Sequence, residues 1–362
     1  MKFEVEMIIH SDCLFFKGDI PCKPHKEFGY HCEDCPSYKK ITDRILIIKL
    51  GAIGDVIRTT PLLSRIRKEY PNAQITWLTY SPDILSKVWL DRILNVTVEN
   101  IEFLKNINFD WLINLDKDGI AISLTNSINA KRKSGFTIDE FGHAMPITTE
   151  AEKHKWLTGL FDDLNKQNTK HYVKEIFEIC GYEFNGEEYI LEVDTSVQNW
   201  NIDKTKQVIG LNTGCGGRWT SRLWPTDYWI GLAKELLKND YEVILLGGEQ
   251  EDVKNKLIQK ESGAKYFGFY PIKTFISLLN NCDTIVSAVT MAMHLAIGLK
   301  KNLILFNNIF NKNEFYLYGR GEILEPDFDC DCYFSPTCPN DCMKYLLPEK
   351  VYKAIKETKT WK

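Results

Sequence analysis

Short runs of branched apolar residues, each closed by glycine or a polar cluster and followed by a helical repeat, recur along most of this chain. Ile45 to Ile48 shows no polar alternation, which predicts a strand buried on both faces, as in a parallel sheet. Gln74 to Tyr80, Asn95 to Glu99 and Phe109 to Leu115 read as further strands with helical stretches between them. Thr169 to Gly181 carries apolar residues at helical spacing and stops at glycine, and Glu187 to Val193 returns as an extended piece. The pattern restarts at Gln207 to Asn212 and continues in strands at Tyr241 to Gly248, Asp283 to Ser287 and Asn302 to Phe306. Helices are expected near Pro225 to Lys238, Glu249 to Ser262, Lys273 to Asn281, Val289 to Leu299 and from Pro348 to about Lys359. Alternating strands and helices predict two doubly wound α/β halves, residues 44–194 and 195–328, with the polar stretch Asp194 to Lys206 as the linker. Two such halves imply a cleft between them, with ligand loops at the carboxyl ends of the strands.

The length of 362 residues agrees with two domains. Forty-five basic against forty-nine acidic residues give a net charge of -4, which offers nucleic acid no electrostatic footprint. No segment approaches the apolar length of a membrane span, and the opening MKFEVEMIIHSDC lacks the basic-then-apolar pattern of a secretory leader. Cytoplasmic residence is the expectation.

The first half's buried strand ends in a glycine turn, LGAIGD, in which Gly51 and Gly54 let the backbone approach a ligand closely and a helix begins near Asp55. Asp55 and Arg58 stand about one helical turn apart, a carboxylate and a cation able to face one crevice. A tight strand-to-helix connection, with Asp55 as a plain N-cap, accounts for the same residues. The second half's strand runs likewise into glycines, NTGCGGRWTSRLWP.

The eleven cysteines are distributed unevenly. Residues 1–43 hold Cys13, Cys22, Cys32 and Cys35 in a turn-rich segment without helical or strand period, and residues 329–362 hold Cys330, Cys332, Cys338 and Cys342 ahead of the last helix. Cytosolic disulfides are uncommon, so metal ligation competes with reduced thiols at both ends. The Cys32-x-x-Cys35 pair has the bite of a metal knuckle, with Cys13 and Cys22 completing four thiolates and His25 or His31 as substitutes.

Neither half carries GxGxxG or GxxxxGK[ST], which removes sequence support for a nicotinamide enzyme or a P-loop NTPase. Four ordered motifs, IIKLGAIGDVIRTTPLL, WTSRLWP, GGEQED and VTMAMHLAIGL, together resemble glycosyltransferase family 9, the ADP-heptose:lipopolysaccharide heptosyltransferase group, over about Arg44 to Glu322. The resemblance implies a GT-B fold of two Rossmann-like domains, inversion at the anomeric carbon and no metal at the reacting centre. By it, Asp55 is the base that deprotonates the acceptor hydroxyl, with Gly54 and Arg58 beside it. Arg222 stands where the family has lysine before Trp-Pro and becomes the diphosphate clamp, with Thr213 and Gly214 in the preceding loop. Asp252, or Glu251 beside it, takes the ribose hydroxyls, and Thr290 and His294 lie at the diphosphate. One departure concerns the donor. The family commonly reads Asp-Thr-Gly or Asp-Ser-Leu ahead of Ala-Met-His, and this chain has Val289-Thr290-Met291 there.

The tail CDCYFSPTCPNDCM resembles the iron-binding cysteine-rich finger of a heptosyltransferase subgroup that modifies autotransporter proteins. That implies structural iron or zinc rather than a catalytic metal, because a thiolate-saturated ion has no open position for substrate. In GT-B proteins the last helix crosses to the first domain, so the two cysteine groups are expected to pack together, as two sites or as one shared site. The expected partners are a nucleotide-diphosphate sugar and a glycan, lipid-linked or protein acceptor, with peripheral inner-membrane contact and oligomers both open. The alternatives are transfer of another nucleotide sugar and a metal-stabilised binding or scaffold protein left by the loss of the aspartate at Val289.

Overall fold

A computed structural model describes residues 7–194 and 200–358, so part of the expected linker lies outside the described residues. Among the described residues, twelve strands form two six-stranded sheets. The first sheet contains β1 (Arg44–Ile48), β2 (Gln74–Thr79), β3 (Arg92–Asn95), β4 (Phe109–Asn114), β5 (Ala130–Ile138) and β6 (Ala144–Pro146), in the order β3-β2-β1-β4-β5-β6. All its pairings are parallel except β5 with β6. The second contains β7 (Val208–Asn212), β8 (Glu242–Leu246), β9 (Lys265–Tyr266), β10 (Thr284–Ala288), β11 (Asn302–Phe306) and β12 (Gly321–Leu324), in the order β12-β11-β10-β7-β8-β9 and parallel throughout. Counted within its own half, each sheet has the order 3-2-1-4-5-6 of a Rossmann-like domain.

The central strands are apolar on both faces because helices cover both faces. Ile45, Leu46, Ile47 and Ile48 are at most 1% exposed, and all of β7, β10 and β11 is buried. Leu46, Ile48, Leu78, Leu112, Leu124 and Ile128 form one core beside the first sheet. The second sheet's core joins Ile209, Leu245 and Ile304 to Trp229 and Leu236 of helix Thr226–Lys238.

Several expectations shift. The strand placed at Asn95 to Glu99 lies at Arg92–Asn95, because the Thr97 hydroxyl accepts from Asn100 N at 3.3 Å and starts helix Val98–Lys105. Strands β5, β6, β9 and β12 had no signal, since their sequences are polar, short or glycine-led. Compactness also divides the chain elsewhere. One unit holds the chain up to Leu50, Leu62–Pro82 and Ser86–Thr148; the other holds Gly51–Pro61, Asp83–Leu85 and everything from Thr149. Tertiary bonds tie residues between 149 and 194 to the rest of the second unit. Asn311 Nδ2 donates to the carbonyls of Asn165 and Asn168 at 2.6 and 2.7 Å, and Arg320 grips Glu188 in a bidentate pair at 2.7 and 2.8 Å. The last helix, Pro348–Glu357, sets Val351, Ala354 and Ile355 into the second sheet's core. No helix among the described residues is long and apolar enough to cross a membrane.

Candidate active site

Within the second unit, loops leaving the carboxyl ends of β7, β8, β10 and β11 line a cavity of about 900 Å³. That is where a doubly wound sheet holds ligands: β7 and β10 are neighbours whose connections depart in opposite directions, which opens a crevice between their loops. Asn212, Gly214 and Arg222 come from the first loop, Gly247 to Glu251 from the second, Val289 to Ala292 and His294 from the third, and Phe310, Glu314 and Phe315 from the fourth. Gly51–Pro61, which belongs to the same unit, adds Gly54, Asp55 and Arg58 to the wall.

Arg222 is 8% exposed, yet no carboxylate pairs with it among the described residues. Its Nη1 donates to the carbonyl of Val289, its Nη2 to the carbonyl of Cys215 at 2.9 Å, and its Nε has no partner. Burial lowers its pKa without neutralising a guanidinium. The result is a fixed, desolvated cation held by neutral carbonyls, with its charge unspent.

Arg58 is committed differently. Its Nη2 meets Asp55 Oδ1 at 2.7 Å and its guanidinium lies 3.6 Å from the centre of the Tyr172 ring. Burial opposes its charge, but Asp55, Tyr172, Glu314 and Tyr189 outweigh burial and raise its pKa. Asp55 is not the helix N-cap; Ala52 holds that position, and Asp55 sits inside helix Ile53–Ile57. His294 lies on helix Met291–Gly298, stacked on Tyr189 with ring centroids 6.3 Å apart. Burial, reinforced by Arg58, depresses its pKa to about 3, so the ring is neutral at physiological pH, and its Nδ1 has no partner. Gly54 is required by this packing, since a Cβ there would stand 2.5 Å from His294 Cδ2. Gly214 makes the same allowance for the Glu251 side chain, whose Oε2 accepts from Gly248 N at 2.9 Å.

Gly54, Asp55, Arg58, Gly214, Arg222, Glu251, Thr290 and His294 thus share one wall. Thr213 and Asp252 do not line it. The Thr213 hydroxyl donates to Asn255 Oδ1 at 2.6 Å, and Asp252 is bound to Lys256 at 2.7 Å and to the Tyr266 hydroxyl at 3.0 Å. Thr290 is occupied as an N-cap, accepting from Ala292 N at 3.2 Å and receiving the Asn212 amide at 3.4 Å. Sequence reasoning missed Asn212, Tyr270, Glu314 and the aromatic group Trp219, Phe310 and Phe334. Only Asn212, a polar residue ending an apolar strand, carried a signal.

The thiols of Cys330, Cys332, Cys338 and Cys342 lie within 4.8 Å of one another, the one such ligand group among the described residues. Their sulfur spacings of 3.1, 3.5 and 3.7 Å approach the roughly 3.8 Å edge of a tetrahedral four-thiolate centre with metal–sulfur bonds of about 2.3 Å. The four residues present fit iron or zinc, and no ligand from the amino-terminal group is needed. Their loop is tied to the cavity. Ser221 N and Oγ donate to the carbonyls of Pro336 and Ser335 at 3.0 and 2.7 Å, one residue before Arg222, and Phe334 lines the cavity beside Trp219 and Phe310.

The fold and site define a GT-B glycosyltransferase. The chain belongs to glycosyltransferase family 9 (heptosyltransferase), whose family model matches residues 102–308. It is 23% identical to lipooligosaccharide heptosyltransferase 2 of Campylobacter jejuni over 85% of this chain and 96% of that protein. It is 21% identical to lipopolysaccharide heptosyltransferase 1 of Pseudomonas aeruginosa over 82% and 87%. Among solved structures it is similar to a family 9 glycosyltransferase from Veillonella parvula, with TM-score 0.67, 16% identity and 87% and 97% of the two chains covered. It is also similar to E. coli heptosyltransferase WaaC with ADP-2-deoxy-2-fluoro heptose, with TM-score 0.61, 15% identity and coverage of 87% and 99%. The iron-containing dodecameric glycosyltransferase TibC of enterotoxigenic E. coli has TM-score 0.54, 11% identity and coverage of 88% and 76%.

Proposed function

We propose that this glycosyltransferase moves a heptose from ADP-heptose to a glycan, lipid-linked or protein acceptor with inversion. The observation that carries the reading is Arg222, a buried cation in the cavity wall with neutral carbonyl partners and no carboxylate, which suits it to an anionic leaving group. The amino end of helix Met291–Gly298 borders the same space and adds a positive dipole end. Heptosyltransferases among the relatives, and the WaaC structure with an ADP-heptose analogue, favour ADP-heptose as donor.

In the step proposed, the acceptor oxygen attacks the anomeric carbon on the face opposite the diphosphate while Asp55 takes the hydroxyl proton. The bond from that carbon to the β-phosphate oxygen breaks, and ADP leaves with its charge met by Arg222. Arg58 orients Asp55 through the 2.7 Å contact, and neutral His294 offers a hydrogen bond without competing for charge. Cys330, Cys332, Cys338 and Cys342 would hold iron or zinc in a structural role, which the iron-containing TibC supports. A lipid-linked acceptor would bring the protein to the cytoplasmic face of the inner membrane; TibC, a dodecamer, makes oligomers part of the reading.

Calorimetry with ADP, GDP and UDP, followed by mass spectrometry of nucleotide sugars with glycan and protein acceptors, tests this function. Preferential ADP binding and addition of a heptose are expected. Binding without turnover of any donor would instead support a scaffold.

A further inference from the structure

We propose that the amino-terminal segment is a second metal module, in which Cys13, Cys22, Cys32 and Cys35 hold one thiophilic divalent cation, zinc or ferrous iron. These four residues line a single cavity of about 30 Å³, together with His10 and His31. The cavity is of the order of one solvent molecule or hydrated-ion ligand, far too small for a nucleotide.

The backbone gathers the cysteines deliberately. Leu14 N donates to the Lys39 carbonyl at 2.9 Å and Ile41 N to the Asp12 carbonyl at 2.7 Å, closing residues 12–41 into a loop whose two ends are zipped. Cys13 sits in that zip opposite Lys40. Cys22 precedes helix Lys23–Phe28, and Cys32 opens a single 3-10 turn, Cys32–Asp34, that returns to Cys35, so two thiols lie at the start and end of one turn. This is the local geometry of a metal knuckle.

Little buried apolar surface holds the segment together, although Phe15, Phe16, Pro24, Tyr30 and Tyr38 also line the cavity. Between residues 7 and 43 the only buried residue is Pro24, so the loop gains too little from burial to offset the ordering of its backbone. The four cysteines form no disulfide, and their thiols make no hydrogen bond among the described residues. Neighbouring polar groups are satisfied elsewhere: the Tyr38 hydroxyl bonds to Asp12 at 3.1 Å, and His25 Nδ1 lies 3.0 Å from the Tyr30 carbonyl. His25, an expected substitute ligand, does not line the cavity, whereas His10 and His31 do. The amino-terminal thiols do not have the mutual spacing within 4.8 Å that the C-terminal four have, so the proposed ion would have to draw them together around the cavity, and its binding would then contribute folding free energy. The two groups lie in different compact units.

The test is metal analysis of the full chain purified without chelator, comparing the parent with Cys32→Ser/Cys35→Ser and with Cys338→Ser/Cys342→Ser. The parent should hold about two equivalents and each double variant about one, because each four-thiolate set binds one ion. Loss of all metal in the C-terminal variant alone would overturn the proposal. If the amino-terminal variant does not fold, alkylation of the parent read peptide by peptide decides: added zinc should slow labelling of Cys13, Cys22, Cys32 and Cys35 by about tenfold or more, since a metal-bound thiolate is shielded. Equal labelling with and without zinc would overturn it too.

Discussion

Arg222 donates to the carbonyl oxygen of Val289. Its other neighbours are the Cys215 carbonyl and the rings of Trp219 and Phe310, 5.7 and 5.6 Å from its guanidinium, and no carboxylate pairs with it among the described residues, so its net charge is available to a ligand. Arg222→Ala should therefore weaken ADP binding by about 1.5 to 3 kcal/mol, roughly ten- to 150-fold, as for a lost charged hydrogen bond. Isothermal calorimetry reads this directly, and unchanged affinity would remove Arg222 from the donor site.

Asp55→Asn keeps the shape of the side chain but cannot take a proton. Turnover should fall by about a hundred- to ten-thousandfold, while the dissociation constant for ADP changes little. Parallel loss of both would make Asp55 a partner for Arg58 and not a base.

Gly54→Ala places a methyl group against the buried His294 ring, which is backed by Tyr189 and has little room to retreat. A cost of about 1 to 3 kcal/mol in stability is expected from overpacking, with turnover reduced beyond what the lost stability explains. Chemical denaturation and steady-state kinetics on the same preparation check both parts.

Removal of the C-terminal metal, or Cys338→Ser, should loosen the loop that holds Ser221 and Phe334. ADP affinity should drop by about 0.5 to 2 kcal/mol, roughly two- to thirtyfold, with a lower melting temperature. If nucleotide affinity is untouched in metal-free protein, the loop braces the fold without positioning Arg222.

His171 gives a pH dependence of known sign. Burial, with Lys174 adding to it, lowers its pKa to about 4, and its Nδ1 accepts from Lys174 N at 3.2 Å to cap helix Tyr172–Ile179. The unfolded chain binds this proton from about pH 6.5 downward while the native protein refuses it until about pH 4, so stability is full above pH 6.5 and declines as pH falls through that window. His171→Asn retains a capping oxygen without titrating. It should reduce the proton uptake on unfolding between pH 6.5 and 4 by up to about one, measurable from the pH dependence of denaturant midpoints.

The alternation of apolar runs and helical repeats determined the central parallel strands of both sheets, because a strand buried on both faces is apolar along its middle, as β1, β7 and β11 are between their polar end residues Arg44, Asn212 and Asn302. The glycine loops after β1 and β7 were equally legible, since a turn that lets a ligand or a ring approach the backbone must omit the side chain, as Gly54 and Gly214 do. The C-terminal cysteines announced themselves by residue type. Tertiary structure alone decided that Thr213 and Asp252 turn to Asn255 and Tyr266, because a hydroxyl or carboxylate goes to whichever partner the fold places nearest. It also decided that Phe334 and Ser221 join the cysteine loop to the cavity, and that residues from Thr149 onward pack with the second sheet. Those contacts join positions more than a hundred residues apart, and no local pattern of hydrophobic and polar residues encodes which distant surfaces will meet.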